Sequence, residues 1–223
     1  MPITKIQRYL EEMKSLSQLL SEAPVLILDA TSSKVQVGLY KNKTSLGQYA
    51  YSTEESGIGL FKAVESLSCK LTEVKTFIYA NTPGSVLGVR TVAMALRIWK
   101  TLGSSQVYSY NALALLAEAT KQPDVTYIAD ARRETWHAYK LDSLASRTAT
   151  PDLISPLVMP EGFRTWSTLP KDLKIVPYNI EHLWPLAMST ALLSPSENPD
   201  AFLYEQPSYV TWDPQIHRKP LNV

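Results

Sequence analysis

One pattern, met twice, constrains this chain more than any other feature. Val25-Leu26-Ile27-Leu28-Asp29 is a short apolar run that ends in an acid, and Val125-Thr126-Tyr127-Ile128-Ala129-Asp130 repeats it. A run of that kind, bounded by turn residues, suits a strand buried on both faces. After the first run and its turn, Thr31-Ser32-Ser33, the stretch Lys34 to Tyr40 alternates, with Val35, Val37 and Leu39 against Gln36 and Gly38. After the second, Thr135 to Leu141 alternates in the same way. Alternation marks half-buried strands, and turns this short permit only antiparallel pairing. Two copies of one strand-turn-strand opening predict a duplicated domain.

Between the copies the hydrophobic period changes. A third strand over 46–51 completes a meander. Ile58, Phe61, Val64 and Leu67 then recur at helical spacing within 56–70, and Val89, Val92, Leu96, Trp99 and Leu102 within 85–102. Short strands are predicted at 74–80 and 106–109, and an alanine-rich helix over 111–121 with Tyr110 or Asn111 at its cap. The order β-β-β-α-β-α-β-α is the ribonuclease-H-like layout, a mixed sheet with helices on its faces. From Thr150 onward proline is frequent and helical patterning is confined to about 180–193. The expected organisation is therefore an N-terminal amphipathic helix within residues 1–23, an N-lobe over 24–121, and a smaller, degenerate C-lobe over 122–223.

Composition narrows the function classes. The net charge of the 223-residue chain is +1, so no global field draws it to nucleic acid or an acidic membrane, and only a local basic patch is left open. The single cysteine, Cys69, excludes an intrachain disulfide and favours a cytoplasmic setting. No apolar run approaches the roughly 20 residues that span a bilayer. In the first 22 residues Lys5, Arg8 and Lys14 are balanced by Glu11, Glu12 and Glu22, unlike a signal or transit peptide. His137, His182 and His217 are too far apart in sequence for a local metal pair, so no metal site is expected.

The sharpest local motif is Pro83-Gly84-Ser85-Val86-Leu87-Gly88-Val89-Arg90, between a buried strand and the longest helix. Gly84 permits positive φ, Ser85 can cap the helix, and a helix N-terminus behind a glycine can hold an anion. The plain alternative is a well-capped turn. Asp29 and Asp130 allow a similar pair of readings, as carboxylates near a metal-nucleotide or as caps of their own turns. Asp29, Gly84, Ser85 and Asp130 are thus the candidate anion or nucleotide residues. No Walker-type phosphate loop and no nucleophile elbow occur.

Taken in order, these motifs resemble a known family. Leu28-Asp29-Ala30-Thr31-Ser32-Ser33 with Val37-Gly38-Leu39-Tyr40, Pro83-Gly84-Ser85 with Gly88-Val89-Arg90, Asp130-Ala131-Arg132-Arg133-Glu134 with Tyr139, and Pro207-Ser208-Tyr209-Val210 are similar to the TsaB (YeaZ) family over about residues 25–212. The chain departs from the family pattern in several places. Thr82 replaces a glycine, Val86 and Leu87 replace Phe and Thr, Glu134 takes a Gly position, and Thr135 takes a Glu position.

The resemblance implies an actin-like ATPase fold of two lobes. It also implies a non-catalytic scaffold subunit that supports threonylcarbamoyl transfer to the tRNA adenosine beside the anticodon. The implied partners are a TsaD-like catalytic subunit, bound through N-lobe helices, and a TsaE-like ATPase, with tRNA engaged indirectly. Ile58, Leu60, Phe61, Val64, Met94 and Arg97 are the candidate interface residues, and the same face could self-associate into a homodimer. No catalytic residue and no resident cofactor are expected; ATP and magnesium would enter only in the complex. Two other readings stay open: a small actin-like ATPase or kinase using Asp29 and Asp130 with magnesium, and a diverged interaction protein of the same fold.

Overall fold

The computed structural model describes residues 12–141, 143, 146–154 and 156–201. Its first sheet is built from β1 (Val25–Asp29), β2 (Val35–Tyr40), β3 (Gln48–Ser52), β4 (Thr76–Thr82), β5 (Gln106–Asn111) and the two-residue β11 (Ser194–Pro195). The strand order is β11-β5-β4-β1-β2-β3. β1, β2 and β3 form the antiparallel meander, with Leu26 opposite Leu39 and Val37 opposite Ala50. β4 and β5 continue parallel to β1. This is the ribonuclease-H-like sheet.

The second sheet contains β6 (Thr126–Asp130), β7 (Thr135–Lys140), β8 (Ser146–Ala149), β9 (Leu157–Pro160) and β10 (Lys174–Val176). Its order, β10-β9-β6-β7-β8, repeats the β5-β4-β1-β2-β3 order of the first sheet, without a counterpart of β11. β6 pairs antiparallel with β7 and parallel with β9. The second sheet is therefore complete, and the reduction of this lobe lies in its helices. Among the described residues, the β8–β9 connection holds a 3-10 turn, Thr150–Asp152, and no helix joins β9 to β10.

Five α-helices are present among the described residues: α1 (Leu16–Leu19), α2 (Ser56–Ser66), α3 (Val86–Trp99), α4 (Ala112–Thr120) and α5 (Ile180–Ala187). The period-two pattern of β1 explains how they are distributed. Leu26 and Leu28 face a cluster that includes Leu60, Val64, Val92 and Leu96 of α2 and α3. Val25 and Ile27 face a cluster shared with Leu113 and Leu116 of α4, Leu183 and Trp184 of α5, and Tyr127 and Ala129 of β6. α4 and α5 thus lie between the two sheets, and α2 and α3 cover the outer face of the first. Burying each large aliphatic or aromatic side chain this way contributes roughly 1.5–3 kcal/mol.

The helix expected over residues 3–20 falls partly outside the described residues, and the described part is not continuous. Lys14 instead pairs with Leu193, and Ser15 starts the short α1 by a capping box. Gln18 N–H donates to Ser15 Oγ at 3.3 Å, and Ser15 N–H donates to Gln18 Oε1 at 2.7 Å. Leu16, Leu19 and Leu20 are buried in the inter-sheet core, so this stripe packs on the chain itself. At α4 the cap is Asn111, whose Oδ1 accepts from Leu113 N–H at 2.9 Å and Ala114 N–H at 3.1 Å.

Candidate functional site

α2 and α3 run side by side on the outside of the first sheet, bridged by a 3.3 Å hydrogen bond between the Ser56 and Thr91 hydroxyls. Their inward positions, Leu60 and Val64 on α2 and Val89, Val92 and Leu96 on α3, are core. Their outward positions are also apolar. Ile58, Phe61, Val86, Leu87, Met94 and Ile98 range from 45% exposed at Val86 to 72% at Leu87. The Phe61 ring stands edge-on to Trp99 with centroids 6.1 Å apart, which anchors its root while half of it remains in solvent. Large exposed apolar groups on two adjoining helices, here interrupted by the exposed Arg90, are what a docking surface presents to water when unpartnered. Its margins are polar: Lys62 meets Glu54 at 2.7 Å, and Arg97 meets Asp200 at 3.2 Å.

The expected interface residues therefore divide. Ile58, Phe61 and Met94 lie on this face. Leu60 and Val64 do not: they are core, because the helical period turns them toward β1 and β2. Arg97 is exposed but engaged, its Nε donating to the Pro199 carbonyl at 2.8 Å. Val86, Leu87 and Ile98 were missed as candidates, although their spacing with Met94 on one side of α3 was available to find them.

The four candidate anion or nucleotide residues are placed as follows. Gly84 has φ +138°, and a Cβ there would lie 2.4 Å from the Thr31 carbonyl oxygen. Gly88 comes closer still, with a Cβ position 2.1 Å from the Ala30 oxygen. Ser85 N–H donates to Thr31 O at 2.8 Å, while Ser85 Oγ caps α3 by accepting from Gly88 N–H at 3.2 Å. The glycines thus let the β4–α3 turn press against the β1–β2 turn.

Asp29 sits beside that contact and is fully buried. Its Oδ1 accepts from Thr31 N–H at 2.9 Å and Thr31 Oγ1 at 2.6 Å. Its Oδ2 accepts from the hydroxyls of Tyr110 at 2.6 Å and Tyr178 at 2.7 Å. Burial, and then the negative charge of Asp29, push both phenols well above the ordinary tyrosine range, so they remain donors. Gln36 adds a second tie, donating to Tyr178 O at 3.3 Å and accepting from Ile180 N–H at 3.1 Å.

Asp130, at the equivalent end of β6, is held differently. It accepts from the backbone N–H groups of Arg132 at 2.5 Å, Trp166 at 2.5 Å and Ser167 at 2.6 Å, and from Ser167 Oγ at 3.1 Å. Burial alone would raise its pKa, but the amides of Ser167, Trp166 and Arg132 outweigh that and hold it below the usual carboxylate value. Trp166 and Ser167 belong to the β9–β10 connection, whose Gly162 carbonyl also accepts from Ser33 N–H at 2.7 Å. One segment thus bridges the β1–β2 and β6–β7 turns. Asp29, Gly84 and Ser85 meet through Thr31, while Asp130 closes on the connection. Nothing in the local sequence around 161–178 marked Trp166 or Tyr178 for these roles.

The sequence matches no protein-family model, and no curated protein matches it significantly. Solved structures do match. YeaZ from Pseudomonas aeruginosa aligns with a TM-score of 0.55 at 20% identity, covering 73% of this chain and 90% of that one. A structure described as an uncharacterized protein with similarity to peptidase YEAZ from Pseudomonas aeruginosa aligns with a TM-score of 0.52 at 18% identity, covering 73% and 89%.

This chain has the YeaZ fold. It is the actin-like, two-lobed arrangement that the doubled strand order already indicates. Within the YeaZ fold as this chain builds it, α2 and α3 form the outer wall of the first lobe. The β9–β10 connection and Tyr178 fill the junction between the lobes. No group of three or more His, Cys, Asp or Glu side chains able to hold a metal occurs among the described residues. No helix among the described residues is long and apolar enough to cross a membrane.

Proposed function

We propose that this chain is a non-catalytic partner subunit in tRNA modification. It supports threonylcarbamoyl transfer to the adenosine beside the anticodon by docking a TsaD-like catalytic subunit. The observation that carries the reading is the apolar face of α2 and α3, with Ile58, Phe61, Leu87, Met94 and Ile98 outward on a lobe whose core is already filled. Helices packing ridge-into-groove against equivalent helices of a second actin-like subunit would bury that face. The likeness to YeaZ, together with the ordered motifs, supports the choice of partner. The reading extends to a TsaE-like ATPase in the same assembly, to indirect contact with tRNA, to a cytoplasmic setting, and to self-association through the same face in the partner's absence. The carboxylates Asp29 and Asp130 act in it as structural ties, with the chemistry left to the partner.

Co-expression with the cognate TsaD-like subunit, followed by size-exclusion chromatography with light scattering, tests the reading. The wild-type chain is expected to form a stable heteromer. Phe61→Asp, which places a charge in the centre of the face, is expected to weaken it by at least about 2 kcal/mol. A folded wild type that elutes alone at every concentration would sink the proposal.

A further inference from the structure

The β6–β7 turn carries a feature that neither the α2–α3 face nor the buried Asp29 uses. Arg132, Arg133 and Glu134 sit at φ +68°, +54° and +54°, three successive non-glycine residues in the left-handed region. Side chains disfavour that region, and such outliers persist where neighbouring groups hold them. Here the neighbours are visible. Asp130 Oδ1 binds Arg132 N–H, and Thr135 donates to the Arg132 carbonyl from Oγ1 at 2.7 Å. Glu134 N–H donates to Ser167 Oγ at 3.2 Å, and Glu134 Oε1 accepts from Thr168 N–H at 3.1 Å.

The turn so held presents Arg132 to the β9–β10 connection, where its guanidinium lies 4.5 Å from the centroid of the Trp166 ring. Trp166 is itself fixed by its N–H bond to Asp130, yet 51% of its surface is exposed. Arg133 and Arg164 flank the pair in sequence; both are exposed, and neither forms an ion pair with a described residue. The two nearest acids in sequence, Asp130 and Glu134, already accept from backbone N–H groups, and Glu161 is the one acid along the connection before Arg164. The result is a preorganised aromatic–guanidinium platform flanked by two exposed arginines that form no ion pair with a described residue.

We propose that this platform binds single-stranded nucleic acid, an unpaired base stacking on the Arg132–Trp166 pair while Arg133 and Arg164 take the flanking phosphates. A guanidinium and an indole each offer a π face to any base, and arginine forks match phosphate oxygens. An acidic peptide would use the arginines and leave the indole idle. The inference does not depend on the partner-subunit reading, because the platform belongs to the second sheet and the docking face to α2 and α3.

The test is fluorescence anisotropy of a short labelled oligouridylate titrated with the full chain at low and at physiological salt. Saturable binding is expected. Trp166→Ala should weaken it roughly tenfold, and Trp166→Phe, which keeps an aromatic face, should retain most of the affinity. Arg133→Ala should make the log–log salt dependence shallower by about 0.7. Phe61→Asp should bind like the wild type, which separates this result from the docking experiment. The proposal is overturned if no saturable binding occurs at low salt, or if Trp166→Ala binds as the wild type does. It is equally overturned if polyglutamate displaces the label as well as unlabelled oligouridylate does.

Discussion

Asp29 and Asp130 stand at the same position of two copies of one hairpin, and their surroundings supply them with different donors. Asp29 receives hydroxyl donors from Tyr110 and Tyr178, residues far from it in sequence that belong to the inter-sheet core. Asp130 receives backbone amides, a donor set that stabilises the ionised form and lowers its pKa. A carboxylate whose folded pKa lies below its unfolded value, near 4, adds stability above that unfolded value. The contribution is lost as pH falls through the folded pKa. Asp130→Asn should therefore be less stable than the wild type at neutral pH, and the gap should narrow below about pH 4. Urea unfolding of both proteins across that range checks this; a gap that stays constant would contradict it. Turn capping by an acid at a strand end was readable from sequence. The identity of the donors was not, because the β9–β10 connection that supplies Trp166 and Ser167 has no periodicity to place it.

For α2 and α3, helical spacing located the elements but could not sort their apolar positions into inward and outward. Leu60 and Phe61 are adjacent and equally hydrophobic, yet one is fully buried and the other half-exposed. The neighbouring sheet decides this, since β1 and β2 occupy one side of the pair. Two glycines of these helices offer a paired test. At Gly57 an added Cβ meets nothing within 4 Å, whereas at Gly88 it would meet the Ala30 carbonyl at 2.1 Å. Gly57→Ala should stabilise the chain by about 0.5–1 kcal/mol through backbone entropy. Gly88→Ala gains the same helix preference but forces β1 and α3 apart, for a net loss of about 1–3 kcal/mol. Chemical denaturation of the two variants should give midpoint shifts of opposite sign, and a stabilised Gly88→Ala would refute the close-contact argument.

The two sheets share one core rather than meeting at a hinge. Tyr127 and Ala129 from β6, Leu113 and Leu116 from α4, and Trp184 from α5 belong to the same buried cluster as Val25 and Ile27. The Asp29–Tyr178 and Gln36–Ile180 bonds cross the same junction. Unfolding should accordingly be a single transition, with far-ultraviolet circular dichroism and tryptophan fluorescence changing together in denaturant. Two separated transitions would show lobes that stand alone.

Sequence alone determined the doubled hairpin, the ribonuclease-H-like order of the first lobe, and the α2 and α3 helices that carry the exposed apolar face. Those features follow from the two- and 3.6-residue periods, which are local and survive in one dimension. Tertiary structure decided the rest. It completed the second sheet from short strands joined without connecting helices and turned Leu60 inward and Phe61 outward. It also brought Tyr178 to Asp29 and set Trp166 beneath Arg132. Each of these depends on which distant segment fills the space beside a residue, and contacts between distant segments leave no periodic trace in the chain.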